Sequence, residues 1–159
     1  MENKKKISEK KKSEIFIGSD HGGFVLKEII REFLKENNVV CHDMGCSGNK
    51  SADYPEYAKK VAREVLSSGK KGILICGTGL GMSMAANRFT GIRAALCHDA
   101  YTARMSREHN DSNILCMGGR VLSPEKAKSI TKIWIETEFT GEERHKRRIR
   151  EIENTNKKA

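Results

Sequence analysis

The sequence predicts an α/β fold, one parallel sheet of five strands covered by helices on both faces. Five short apolar runs alternate with stretches of helical period, and strands recur roughly every 25 to 30 residues, the rhythm of β-α-β units. With 159 residues, 37% of them hydrophobic, the chain can close one core of ordinary size, which makes a single domain.

Each element follows in order. "EIFIGSDHGG" reads as a buried strand running into a glycine turn. "FVLKEIIREFLKENN" places Phe24, Leu26, Ile29, Ile30, Phe33 and Leu34 close to helical spacing, so an amphipathic helix is expected. "VVCHDMG" is a second short strand, and "YPEYAKKVAREVLSSG" a helix with Pro55 near its first turn and Gly69 at its end. "GILICGTG" is a third apolar run, followed by a helix from about Leu80 to Arg88. "GIRAALCHD" and "NILCMGG" are further strands, with the helix "DAYTARMSREHN" between them. Ser123 and Pro124 open a long helix over "SPEKAKSITKIWIETEF", and "GEERHKRRIREIEN" is a charged helix. No internal repeat interrupts the pattern.

Charge and cysteine content narrow the function classes. The formal net charge is +9, but six lysines against three glutamates fall in residues 1–14, and seven lysines or arginines against four glutamates in residues 142–159. Most of the excess therefore sits in the ends, where a solvated extension is the commoner outcome than a grip on a polyanion. Five cysteines are an odd number, and the N-terminus has no apolar stretch suited to a signal peptide, so a cytoplasmic protein with reduced thiols is expected. The apolar runs are too short to span a membrane. Cys41, His42 and Cys46 lie close together, but no second pair of ligands follows at zinc spacing, and no metal site is expected there.

In a parallel sheet, ligands bind at the carboxyl ends of the strands. Asp20 with His21, Asp43, residues 76–81, and His98 with Asp99 all stand there without a packing reason. Gly77, Gly79 and Gly81 are spaced by two, which departs from the dinucleotide fingerprint, and the loop lacks the Lys and Ser/Thr of a nucleotide P-loop. Its amides can still hold an anion. Cys76, at the mouth of that loop, is either a small buried apolar residue or a thiol able to act as nucleophile or base. With an anion hole beside it and the Thr78 hydroxyl near, proton abstraction next to a carbonyl and acyl chemistry both fit. His109 and Asn110 follow a helix and precede a strand, which puts them at the opposite end of the sheet. They join the glycine loop most simply across a dimer interface. Arg144 and Arg148, four apart, share a helix face suited to a phosphate, although a solvated basic helix with Glu142 and Glu143 as counter-charges is the commoner explanation; Arg120 in "GGRV" follows a strand.

With "SDHGG", "DYPEYA", "GILICGTGLGMSMAANR", "GIRAAL", "SREHNDSNILCMGGR" and "ERHKRR" in this order, the chain closely resembles the ribose-5-phosphate isomerase B family of sugar-phosphate isomerases over roughly residues 14–153. The resemblance implies a Rossmann-like three-layer sandwich and interconversion of D-ribose 5-phosphate and D-ribulose 5-phosphate through a cis-enediolate, in the non-oxidative pentose phosphate pathway. It implies Cys76 as the base, with the chain in the thiol branch of a family whose other branch uses glutamate. Gly77, Thr78, Gly79, Leu80 and Gly81 would form the anion loop, with Thr78 assisting the chemistry, and His109 would be the acid that opens the furanose, with Asn110 beside it. Asp20 and His21 would touch substrate, Tyr54 would wall the pocket, and Arg120, Arg144 and Arg148 would lie on the phosphate side. It further implies a homodimer with shared active sites, which can pair into a tetramer, and no metal or organic cofactor. Residues 1–13 are then a basic extension, expected to be disordered, residues 14–153 the isomerase domain, and residues 154–159 a tail.

Two other readings are open. A six-carbon aldose phosphate, such as allose or galactose 6-phosphate, differs only in pocket depth. A non-catalytic nucleotide- or RNA-binding module would use the basic ends, but nucleic acid is not the expected partner, since only 6% of residues are aromatic and no stacking motif is present.

Overall fold

The structure is a computed structural model that describes residues 13–48 and 50–155. The expected disorder of residues 1–13, and with it the basic grip read into the N-terminal end, falls outside the described residues except at Ser13.

Five parallel strands form one sheet in the order β2-β1-β3-β5-β4. They are β1 (Glu14–Ser19), β2 (Val40–Asp43), β3 (Lys71–Cys76), β4 (Ala94–Leu96) and β5 (Ile114–Gly118). The three central strands are almost continuously buried, as strands covered on both faces must be. The helices are α1 (Phe24–Glu36), α2 (Tyr54–Ser68), α3 (Leu80–Ala86), α4 (Ala100–Glu108), α5 (Pro124–Glu136) and α6 (Glu143–Glu153). Leu26, Ile30 and Leu34 of α1, Ala103 of α4 and Ala127, Ile130 and Trp134 of α5 pack on one face of the sheet. Ala58, Val61, Ala62 and Val65 of α2, with Met82 and Ala86 of α3, pack on the other. The expected three layers and five parallel strands are present.

Local signals set the boundaries. Pro55 sits in the first turn of α2 and Gly69 closes it in the left-handed conformation, with φ 69°. Ser123 caps α5 by accepting a hydrogen bond from the Lys126 amide. Two elements are shorter than the sequence implies. β4 spans three residues, because the Asn87 side-chain amide takes the place of a neighbouring strand, accepting from Ala94 N at 2.8 Å and donating to Ala94 O at 2.9 Å. α3 stops at Ala86 instead of Arg88, where the chain turns toward β4.

The buried stripe of α1 holds a surprise. Leu26, Ile30 and Leu34 are buried as expected, but so is Lys27, at 0% exposure. Its ammonium donates to both carboxylate oxygens of Asp43, at 2.7 and 2.8 Å, and to the carbonyl of Cys46 at 2.7 Å. A buried lysine without such partners would be prohibitively costly. Here it ties α1 to the end of β2, and Asp43 is committed to that bond.

Candidate active site

The sheet order reverses between β1 and β3, since the chain moves from β1 outward to β2 and then returns to β3 on its other side. The crevice above such a reversal is where open α/β sheets take ligands. Two loops meet there. Ser19 pairs with Ile75 at the strand ends, and the Asp20 amide donates to the Ile75 carbonyl at 3.3 Å. Gly23 is required at this crossing: a Cβ there would fall 2.3 Å from the Ile75 carbonyl oxygen. The Asp20 carboxylate caps the 3-10 turn His21–Gly23 by accepting from Gly23 N at 3.1 Å. His21 Nδ1 accepts from Ala52 N at 3.2 Å, which fixes the tautomer with its proton on Nε2.

Cys76 ends β3 at 5% exposure, and the Gly79 amide donates to its Sγ at 3.1 Å. Gly79 has φ 79°, and a Cβ would lie 2.5 Å from Leu96 Cδ1 and 2.8 Å from Met117 C. Only glycine takes this conformation in this space without strain. The turn it makes folds the loop back over the sulfur. Thr78 is exposed, and its Oγ1 accepts from Leu80 N at 3.3 Å. The Tyr54 ring lies over Gly81, where a Cβ would be 2.7 Å from Cζ. Arg120 borders the loop as well: its amide donates to Gly77 O at 3.0 Å, and its guanidinium lies beside Gly77 Cα. Asp20, His21, Tyr54, residues 76–81 and Arg120 therefore form one cluster.

The remaining thiols differ in setting. Burial pushes the Cys116 and Cys97 thiols up, and it pushes Cys41 up to about 11. Burial of this kind disfavours the thiolate at each of the three. Of the other polar residues at the strand ends, Asp99 caps α4 through a reciprocal bond with Thr102, and His42 stacks on Phe16 and bonds Glu14.

The second cluster lies at the other end of the sheet, as the chain order requires. Arg93, just before β4, donates through Nε to the carbonyls of Asn110 and Asp111, at 3.0 and 3.2 Å. Asp111 has φ 44°, and Arg107 holds its carboxylate at 2.8 Å. This turn presents His109 and Asn110 together. The His109 ring stacks on that of His145, with centroids 4.2 Å apart and planes 15° apart. His145 belongs to α6, which also carries Arg144 and Arg148, both exposed. The structure thus divides the sequence-derived residues into two groups, with His109, Asn110, Arg144 and Arg148 in the second. Arg120 is the one arginine of the three in the first. Sequence reasoning passed over Lys27, Arg93, Arg107, Asp111 and His145, and the signal for His145 was its place in the chain between Arg144 and Arg148.

A family model described as Ribose/Galactose Isomerase matches residues 15–152. The Escherichia coli protein named ribose-5-phosphate isomerase B is 45% identical over 139 residues, covering 87% of this chain and 93% of that protein. A solved structure of Clostridium thermocellum ribose-5-phosphate isomerase B superposes with a TM-score of 0.89 at 51% identity, over 91% of this chain and 98% of that one. The corresponding values for a Thermotoga maritima ribose 5-phosphate isomerase are 0.88 and 47%, over 90% and 99%. Matched along nearly its whole folded length, in sequence and in backbone alike, the chain belongs to the ribose/galactose isomerase family.

Proposed function

We propose that this protein interconverts D-ribose 5-phosphate and D-ribulose 5-phosphate, with Cys76 as the base, in a cavity completed by a second copy of the chain. The observation that carries the proposal is the Gly79 amide aimed at the Cys76 sulfur at 3.1 Å, at the point where the sheet order reverses. That bond seats the sulfur against the loop, whose other amides are placed to receive a substrate oxyanion.

The reaction proceeds by proton transfers alone. His109 protonates the ring oxygen as the C1–O4 bond breaks, and the C1 hydroxyl proton leaves, giving the open aldehyde. The Cys76 thiolate then takes the proton from C2, and the negative charge moves to O1, where the loop amides receive it. A proton passes from O2 to O1 of the cis-enediolate beside Asp20, and the thiol returns its proton to C1. The product is the ketose. His21 and Tyr54 hold the sugar, and Arg120, Arg144 and Arg148 bind the phosphate.

Two-fold pairing supports the shared cavity. His109 and Cys76 lie at opposite ends of one sheet, and a dimer axis can bring one copy's second cluster to the other's first. Exposed apolar side chains gather around the first cluster: Tyr54, Leu80, Met84, Tyr101 and Val121 are 40% to 72% exposed. Exposed apolar surface of this kind supports a second copy covering this face. The described residues hold no helix long and apolar enough to cross a membrane, and the free thiols fit a cytoplasmic setting.

The test is an assay of ketose phosphate formation from each aldose phosphate with EDTA present. Activity on ribose 5-phosphate exceeding that on allose 6-phosphate is expected. No turnover of either sugar refutes the isomerase reading.

A further inference from the structure

The mechanism above assigns no work to His145, yet the structure gives this residue an unusual place. It is 3% exposed and is the buried residue of α6 among those described. Among the described residues its Nε2 has no hydrogen-bond partner. An unpartnered imidazole nitrogen in a protein interior costs stability, and an aliphatic side chain would dock the helix more cheaply. What the imidazole has instead is the face-to-face contact with His109, 4.2 Å between centroids. An aromatic plane at that distance restricts the rotation of the His109 ring in a way that an aliphatic group does not.

The remaining attachment of α6 reinforces the point. At its far end Glu153 accepts from Arg93 Nη1 at 2.7 Å and from Gly91 N at 3.1 Å. Arg93 is the same side chain that holds the carbonyls of Asn110 and Asp111. Before the helix, Thr140 donates to the carbonyl of Glu108, the residue preceding His109. Helix α6 is therefore tied to the segment that carries His109 directly through Thr140, which precedes the helix, and through Arg93 at its far end.

We infer that His145 is a positioning residue, whose ring sets the plane of the His109 imidazole for ring opening and couples it to the arginines of α6. The inference rests on the proposed isomerase reading. It separates two rates. Ribose 5-phosphate must open its furanose before isomerisation, whereas ribulose 5-phosphate carries its phosphate on O5, cannot close a five-membered ring, and needs only Cys76 chemistry to exchange a carbon-bound hydrogen. A residue that merely docked α6 would change both rates together when replaced.

The experiment measures turnover of ribose 5-phosphate and initial uptake of solvent deuterium into ribulose 5-phosphate, in wild type, H145L, H145Q, H145F and H109N. The ratio of turnover to uptake is expected to fall about tenfold in H145L and H145Q, since small misplacements of a catalytic group carry losses of this order or more. In H145F, which keeps a stacking plane, it should stay within about twofold of wild type. H145L added to H109N should leave the H109N ratio unchanged, because the two residues act through one step. Of H145L and H145Q, whichever folds decides the matter: a wild-type ratio, even with both rates reduced, overturns the inference. Absence of deuterium uptake in the wild type would instead overturn the isomerase reading on which it rests.

Discussion

Replacing Gly79 with alanine tests the loop at its tightest point. The residue sits at φ 79°, where a side chain costs about 1–2 kcal/mol of backbone energy. The added Cβ would lie 2.5 Å from Leu96 Cδ1, which can yield, but also 2.8 Å from Met117 C and 3.0 Å from Met117 O, which are backbone and cannot. Overpacking of this kind adds about 1–3 kcal/mol, so the variant should lose about 2–5 kcal/mol in all, with the loop shifting outward to relieve the contact. For a domain of this size the melting temperature should drop by about 4–20 °C. The same shift draws the Gly79 amide off the Cys76 sulfur and the neighbouring amides off the substrate anion. Loss of a single such donor lowers kcat by about 10²–10³. The assay is ribose 5-phosphate turnover at a temperature where a melting curve shows the variant fully folded. A G79A protein that keeps kcat within about fivefold of wild type would refute the role given to this amide.

Three further perturbations follow from the same geometry. C76A should lose more than about 10³ in kcat, while competitive binding of the sugar phosphate stays within about threefold; retention of a tenth of the wild-type turnover would remove Cys76 from the role of base. K27M strands the Cys46 carbonyl and leaves Asp43 with Arg31, 3.1 Å away, so unfolding in urea should show a loss of about 2–4 kcal/mol, and an unchanged midpoint would mean that the buried ammonium contributes nothing net. Burial beside His109, with Arg144 and Arg148 close by and only Glu142 opposing, holds His145 below the ordinary histidine value. The unfolded chain then takes up this proton as pH falls through about 6.5 while the folded one resists, so His145 contributes stability above that pH and loses it below. The urea midpoint of H145F should accordingly fall less between pH 7.5 and 5.5 than that of wild type, and equal falls would contradict the assignment.

Much of this was legible in the residues themselves, and the exceptions have physical causes. Helix α2 announces itself at both ends, because Pro55 fixes the first turn and Gly69 takes the left-handed closing position. The strands β1, β3 and β5 read as unbroken apolar runs because both faces are covered. β4 reads too long because its outer edge is satisfied by the Asn87 amide, a tertiary bond that no local pattern signals. Lys27 hides for a related reason: a lysine on an amphipathic helix is assigned to solvent unless its acceptors, Asp43 and the Cys46 carbonyl, are known to converge on it. Cys76 and its glycine loop were identifiable from order alone, because parallel strands bring their carboxyl ends to one edge. The stack of His145 on His109 was not, since it joins two helix termini 36 positions apart inside a segment dominated by charge. Alternating strands and helices also placed His109 and Cys76 at opposite ends of the sheet, and the bonds of Arg93 to the residues after His109 agree.

That separation is the centre of the account, and mixing two inactive variants tests it most directly. C76A and H109N, unfolded together and refolded at equal ratio, pair at random, so about half the dimers are mixed, and each mixed dimer holds one cavity with both residues intact. Ribose 5-phosphate turnover should then rise to about a quarter of the wild-type value per chain. Activity that stays at the mean of the two parents would contradict a cavity built from two copies.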